Sequence, residues 1–301
     1  MTTRTLQAAL AARKFCLTAE VTPPLSCDPA DLLAKAEPLA GLADAVNVTD
    51  GASARAHMDA LVAATILLRH GIDPILQMTC RDRNRIALQS ELVGAAAAGI
   101  RNVLMLTGDD PKAGDQPDTK PVFDLDSSAL MRTAASIRDK GELPHGRKVG
   151  GKAHFFIGGA DVPIDPKPDW APEALRKKLN AGAQFVQTQF CMDLSLLQRY
   201  IDRLREHGIQ VGKDIHLLVG VAPLASAKQA RWIRDNLFGS VIPDAIIERL
   251  EVAADPRSEG KSICVDMLRQ LVAMPGVSGA HIMAPLNEAS MPEVIREFRN
   301  G

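Results

Sequence analysis

One recurring unit constrains the fold more than any other feature of this chain. It is an amphipathic helix, a glycine near the helix end, an apolar strand, then a cluster of small or polar residues. The stretches "RHGIDPILQMTCRD" (69–82), "AAGIRNVLMLTGDD" (97–110), "NAGAQFVQTQFCMD" (180–193) and "GVSGAHIMAP" (276–285) are four copies. Less regular segments bring the strand candidates to eight: Phe15–Val21, Ala45–Thr49, Ile75–Thr79, Val103–Thr107, Ala153–Gly158, Phe185–Phe190, His216–Val221 and Ala280–Ala284. Their near-continuous apolar character suits parallel strands buried on both faces.

The helices between them carry ordinary start and stop signals. Asp193 is placed to cap a helix whose inner face is Leu197, Ile201 and Leu204, stopped by His207-Gly208. Asp126 is placed to cap another with Leu130, Ala134 and Ile137 facing inward, stopped by Lys140-Gly141. Eight βα units in 301 residues predict a (β/α)8 barrel forming one domain over 1–301, with extra helices around Ala227–Ala273. A doubly wound sheet is the alternative, but no G-x-G-x-x-G follows any strand.

Composition narrows the partners. Lys+Arg number 35 against 36 Asp+Glu, so charge gives no case for nucleic acid or an anionic membrane. No apolar run approaches a membrane span, and Met1 to Lys14 lack the apolar core of a signal peptide. Cys16, Cys27, Cys80, Cys191 and Cys264 form no C-x-x-C pair, which argues against a zinc site or disulfide framework. The expectation is a cytoplasmic protein without a metal; a homo-oligomer is compatible with all of this.

A barrel directs attention to the C-terminal ends of its strands, where the βα loops carry chemistry. Glu20, Thr49-Asp50, Thr79-Cys80, Thr107-Gly108-Asp109, Gly158-Gly159, Gln189 and Pro223 are expected there. The loops Asp110–Asp126 and Ala160–Pro172 have the length of functional lids. Glu20, ending an apolar strand just before Pro23-Pro24, is either a salt-bridged core residue or an acid with a raised pKa. Asp109 reads as a turn residue or, because Gly108 lets a ligand approach the backbone, as a site residue. A ring of Glu20, Thr49, Asp109 and Gln189 suits a flat heterocycle with several donors and acceptors. His154, His216 and His281 are expected at strand starts, hence at the bottom of the barrel, giving histidine chemistry little support. Gly260-Lys261-Ser262 mimics a P-loop end without its preceding glycine or strand. The Arg81–Arg85 cluster reads as a solvated helix start.

Glu20 with Pro23-Pro24, then "VNVTDGA", "LQMTC", "LTGDDP", "KLNAGAQFVQTQFCMD" and "HIMAPLNE", occur in an order that resembles the methylenetetrahydrofolate reductase family from about Leu17 to about Ile295. The resemblance implies an FAD-containing barrel that reduces 5,10-methylenetetrahydrofolate to 5-methyltetrahydrofolate, using NADH or NADPH. By the same resemblance Glu20 is the acid that helps open the folate's imidazolidine ring, and Asp109 lies near both flavin and pterin. Gln189 is then a folate contact. Thr49, Gly108, Lys178 and Ala183 resemble FAD-contacting positions, and Leu106, Phe123 and Gly159 belong with them. Gln77 stands where many relatives have His, and Thr107 where many have Arg, each keeping a hydrogen-bonding group. Ala227 replaces an aromatic that stacks on nicotinamide or folate in some relatives, which makes the reductant the open question. A protein electron donor, a flavin-free folate-binding barrel, and an aldolase-like barrel using Lys152 or Lys178 are the alternatives.

Overall fold

The computed structural model describes residues 5–301; Met1–Arg4, where the expected domain begins, lie outside the described residues. Eight parallel strands close on themselves in sequence order. They are β1 (Cys16–Val21), β2 (Ala45–Val48), β3 (Pro74–Thr79), β4 (Asn102–Leu106), β5 (Phe156–Asp161), β6 (Phe185–Phe190), β7 (His216–Val221) and β8 (Val277–Ile282). Helices α2 (Pro29–Ala36), α3 (Ala60–Arg69), α4 (Arg85–Ala98), α5 (Ser127–Lys140), α6 (Glu173–Asn180) and α7 (Leu194–Glu206) follow the first six strands in turn, behind a short α1 (Leu6–Ala11). Three helices, α8 (Ala227–Asn236), α9 (Asp244–Val252) and α10 (Pro256–Ala273), separate β7 from β8, and α11 (Met291–Asn300) ends the chain.

The cap signals act as the sequence suggests. Asp193 accepts from the Leu196 N–H at 2.9 Å and Asp126 from the Ala129 N–H at 2.7 Å. Gly141, at φ +62°, closes α5 in the left-handed conformation that a side chain would resist. Leu197, Ile201 and Leu204 are buried on α7, as are Leu130, Ala134 and Ile137 on α5.

Two strands sit three residues away from where the sequence suggests, and glycine is the reason in both. Strand 5 was expected over Ala153–Gly158 but spans Phe156–Asp161. Gly158 lies inside it because a Cβ there would stand 2.2 Å from the Phe185 ring. Strand 8 was expected to begin at Ala280 but begins at Val277. Gly279 lies inside it because a Cβ would stand 2.2 Å from the Cys16 carbonyl oxygen of the neighbouring strand.

The interior of the barrel is layered. The lowest layer is apolar: Cys16, Ala45, Ile75, Leu104, Phe156, Phe185 and Leu218, closed from below by Leu6, Ala9 and Leu10 of α1. The Phe156 and Phe185 rings stack at 4.9 Å between centroids. Asp73 pins the plug by accepting from the Leu6 N–H at 2.9 Å. Above this floor lies a polar layer of Thr18, Asn47, Gln187 and His281, each at most 3% exposed. Burying four such groups is tolerable only because they satisfy one another.

Candidate active site

A cavity of about 1190 Å³ opens above the polar layer at the C-terminal end of the strands. Of the residues expected at the site, Glu20, Thr49, Gln77, Leu106, Thr107, Gly108, Asp109, Lys178 and Gln189 line it. Phe123, Gly159 and Ala183 stand outside its lining. Phe123 is 40% exposed in the β4–α5 loop, and a Cβ on Gly159 would meet the Met131 Cε at 2.4 Å, away from the cavity. Ala183 packs into the core behind the barrel wall.

Glu20 is the second-last residue of β1, with its side chain 25% exposed to the cavity. Its Oε2 accepts from the Gln77 Nε2 at 2.9 Å and lies 3.6 Å from the His281 Nε2. Both contacts fall on one oxygen, which turns the other toward the open space above.

His281 corrects the expectation that the histidines lie at the bottom. It is the fifth of the six residues of β8, faces the cavity and is 3% exposed. Starting the strand after Gly279 is what displaces it in a reading of the sequence. His216 does open β7, and burial lowers its pKa; His154 precedes β5.

The polar layer beneath decides which ring nitrogen carries the proton. Gln187 and Asn47 exchange amide hydrogen bonds at 2.6 and 3.0 Å, and the second Gln187 N–H donates to the Thr18 Oγ at 3.0 Å. The Thr18 hydroxyl then has its proton free for the His281 Nδ1, 2.9 Å away. With the Gln187 amide also 3.3 Å from Nδ1, this network assigns Nδ1 as the acceptor and the ring N–H to Nε2, facing Glu20.

Gln189 is oriented by a local bond as well. Its Oε1 accepts from the Phe190 N–H at 3.0 Å, so the amide NH2 is what it presents to a ligand. The β6–β7 register shifts between Gln187 and Phe190, and Gly220 permits it: a Cβ there would lie 2.4 Å from the Thr188 carbonyl oxygen.

On the opposite wall, Asp50 accepts from the Thr79 N–H at 2.7 Å and from Arg83, which also holds Glu91. Arg81, 4% exposed, binds Asp82 at 2.7 Å and the Gly51 carbonyl at 3.2 Å. Arg81, buried, and Arg83, half-buried, are therefore clamps holding the chain after β2 to the chain after β3 and not a solvated helix start; Arg85, paired with Asp124, is the surface one. Gly108, at φ +98° on the cavity lining, has a reason within the fold as well, since a Cβ would meet the Arg81 Cβ at 2.9 Å. Asp109 is exposed on the cavity wall, and its charge adds to that of Asp82 in favouring the Arg81 cation. Asp110 accepts from the Lys112 N–H at 2.9 Å, a turn role.

At the end of β5, Asp161 accepts from the Tyr200 hydroxyl at 2.6 Å and lies 3.9 Å from the Lys178 Nζ. Burial raises the Asp161 pKa, with Lys178 and then Tyr200 opposing it. Burial and then the Asp161 charge push the Tyr200 phenol up. Nothing in the sequence signalled this trio, because its members lie on three separate elements. Lys152 is exposed before β5, far from the strand ends.

The donor set suits a flavin. Thr49 Oγ is buried without a protein partner at the cavity wall, beside Gln77, Thr107 and Lys178. An orphaned hydroxyl and several amides and charges around so wide a space match a large flat heterocycle. Among the described residues no cluster of His, Cys, Asp or Glu could hold a metal ion, and no helix is long and apolar enough to cross a membrane.

A closed (β/α)8 barrel whose C-terminal face opens into a wide cavity lined by both apolar side chains and convergent polar groups defines a barrel of the enzyme type. The family profile described as methylenetetrahydrofolate reductase matches residues 5–299, and the chain belongs to that family of oxidoreductases. The 5,10-methylenetetrahydrofolate reductase of Salmonella typhimurium is 26% identical over 267 residues, covering 83% of this chain and 78% of that one. The probable methylenetetrahydrofolate reductase (NADPH) of Caenorhabditis elegans is 26% identical over 245 residues, 79% of this chain. This chain spans only 34% of the length of the nematode protein. A Clostridium thermocellum protein that binds two copies of 5-methyl-5,6,7,8-tetrahydrofolic acid shares the fold, with a TM-score of 0.64 at 14% identity over 98% of both chains.

Proposed function

We propose that this protein reduces 5,10-methylenetetrahydrofolate to 5-methyltetrahydrofolate, with FAD as cofactor and NADH or NADPH as reductant. The observation that carries this reading is Glu20: a carboxyl at a barrel strand end, held on one oxygen by Gln77 and faced by His281, with the other oxygen open to the cavity.

Thr49, Gln77, Thr107, Asp109 and Lys178 are the residues that would hold the flavin. When bound, FAD supplies a two-electron carrier that takes hydride from the nicotinamide and passes it to the one-carbon bridge. The chain's own work is positional and protic. Glu20 carries the proton for N10, so that the bridge opens toward an electrophile at N5. Gln77 and the His281 N–H keep that carboxyl in one orientation, and Gln189 offers its NH2 to the pterin edge. Asp109 faces flavin and pterin together. The apolar floor and the polar layer close the cavity from below and limit water at the reacting atoms.

The test separates the half-reactions. The purified protein is expected to be yellow and to bleach on anaerobic addition of NADH or NADPH. Glu20→Gln should leave that bleaching within about threefold of wild type while slowing reoxidation by methylenetetrahydrofolate by roughly 10²-fold or more. A colourless protein that cannot be loaded with FAD, or a Glu20→Gln variant with both half-reactions intact, overturns the reading.

A further inference from the structure

Arg81 is a buried cation at the cavity wall to which the proposed chemistry gives no part. It is 4% exposed, yet it lines the cavity beside Thr49, Thr79, Gly108 and Asp109. Two glycines build the slot that holds it. A Cβ on Gly51 would stand 2.3 Å from the Arg81 Nη2, and one on Gly108 would stand 2.9 Å from the Arg81 Cβ. Both glycines have positive φ, +59° and +98°, just beyond the ends of β2 and β4. The backbone that follows Thr49 and the backbone that leads to Asp109 therefore close on one side chain.

One edge of the guanidinium is fully used. Nε donates to the Asp82 Oδ1 at 2.7 Å, while Nη2 donates to the Asp82 Oδ2 at 2.7 Å and to the Gly51 carbonyl at 3.2 Å. Nη1 is buried and has no partner in the protein. A buried donor on a cation is costly to leave unmet, so a group from outside the chain is expected to use it. Asp82 does not line this cavity, and its side chain is 43% exposed against 5% for Arg81. Water therefore screens the Asp82 charge better than the Arg81 charge, and the cavity side keeps a net positive field from the pair. Among the described residues of the lining, the other cation is Lys178, with Asp161 3.9 Å from its Nζ.

We propose that Arg81 is an electrostatic positioning residue that sets how strongly the cavity favours the reduced over the oxidised flavin. This rests on the flavin reading above. Hydride transfer breaks a C–H bond of the dihydronicotinamide and moves two electrons and one proton together. The nicotinamide is left with a positive charge, and the flavin ring gains one negative charge. Asp109, on the same wall, opposes that gain, and the guanidinium packed behind Gly108 favours it. Because the cation is buried, its effect persists at ordinary salt concentrations.

The experiment is an anaerobic redox titration of the FAD-loaded protein, read from the flavin absorbance against a reference dye. Wild type is compared with Arg81→Gln, Arg81→Lys and Asp82→Asn. Arg81→Gln should weaken the binding of reduced relative to oxidised FAD about tenfold, which lowers the potential by about 30 mV. Arg81→Lys keeps the charge and should stay within about threefold of wild type in that ratio. Asp82→Asn removes the countercharge and should move the ratio the other way, by about twofold or more. Opposite signs distinguish a field from a structural role, since loosening the loop would move both variants alike. An unchanged potential in Arg81→Gln overturns the inference, as do equal shifts in Arg81→Gln and Arg81→Lys. Thermal denaturation verifies folding. If Arg81→Gln does not fold or does not retain FAD, Asp82→Asn decides: an upward shift supports the inference, and no shift or a downward one overturns it. A wild type that takes up no FAD refutes the flavin reading itself, and the inference falls with it.

Discussion

His281→Leu tests the connection between the buried polar layer and Glu20. The substitution removes the acceptor of the Thr18 hydroxyl at 2.9 Å and the N–H that lies 3.6 Å from Glu20. Thr18 keeps only the Ala280 carbonyl, at 3.5 Å, as an alternative acceptor. A lost hydrogen bond costs about 1 kcal/mol, and a poorly satisfied buried hydroxyl raises that to about 1–3 kcal/mol. For a chain of this size the melting temperature should fall by roughly 2–5 °C. The functional loss is separate. Removing one of the two polar groups that face Oε2 should cost about 1–2 kcal/mol of transition-state stabilisation, about five- to thirty-fold in folate reduction. Stopped-flow absorbance of the flavin, run anaerobically with NADH and then with methylenetetrahydrofolate, measures the two half-reactions independently. Flavin reduction should be unaffected, since no residue assigned to the flavin is hydrogen-bonded to this layer. Equal slowing of both half-reactions, or a melting temperature unchanged together with an unchanged folate rate, would refute the reasoning.

Two further outcomes follow from burial. Asp161 has a raised pKa in the folded protein, so the folded state holds its proton more tightly than the unfolded chain. Stability is therefore lost as pH rises above the ordinary carboxylate range and is regained as pH falls back through it; Asp161→Asn, which can still accept from Tyr200, should flatten melting temperature against pH above about 4, and an unchanged slope would count against the burial argument. Burial pushes the Cys80 thiol up to about 11 and the Cys191 thiol up to about 12, and Cys264 is also buried, whereas Cys27 is exposed. A disulfide reagent should titrate one thiol rapidly in the native protein and all five after denaturation; three or more rapid thiols would contradict the packing.

What the sequence discloses and what it hides divide along physical lines. Periodicity and caps locate all eight strands, because burial on both faces leaves an apolar run that polar loops cannot imitate. The errors at β5 and β8 have one origin. Gly158-Gly159 and Gly279 read as strand ends, yet the tight interior of a small barrel places Gly158 and Gly279 inside strands so that a neighbouring ring or carbonyl can approach. One such error hid His281. Glu20, Thr49, Asp109 and Gln189 could be placed at the barrel mouth because each lies at or just beyond a recognisable strand end, whereas Gln77, inside β3, came from the family resemblance. The pairing of Asp161 with Tyr200 was not legible, because it depends on how β5 and α7 lie in space.

The reciprocal bonding of Thr18, Asn47, Gln187 and His281 has a consequence for descent. The four come from β1, β2, β6 and β8, from both ends of the chain, and the four hydrogen bonds that define the layer assign donor and acceptor roles in sequence. Exchanging one member alone leaves the others with mismatched protons. Recombination between relatives that join the front half of one barrel to the back half of another should succeed only where both parents share this quartet. In that sense the strands at the two ends of the chain form one unit of compatibility.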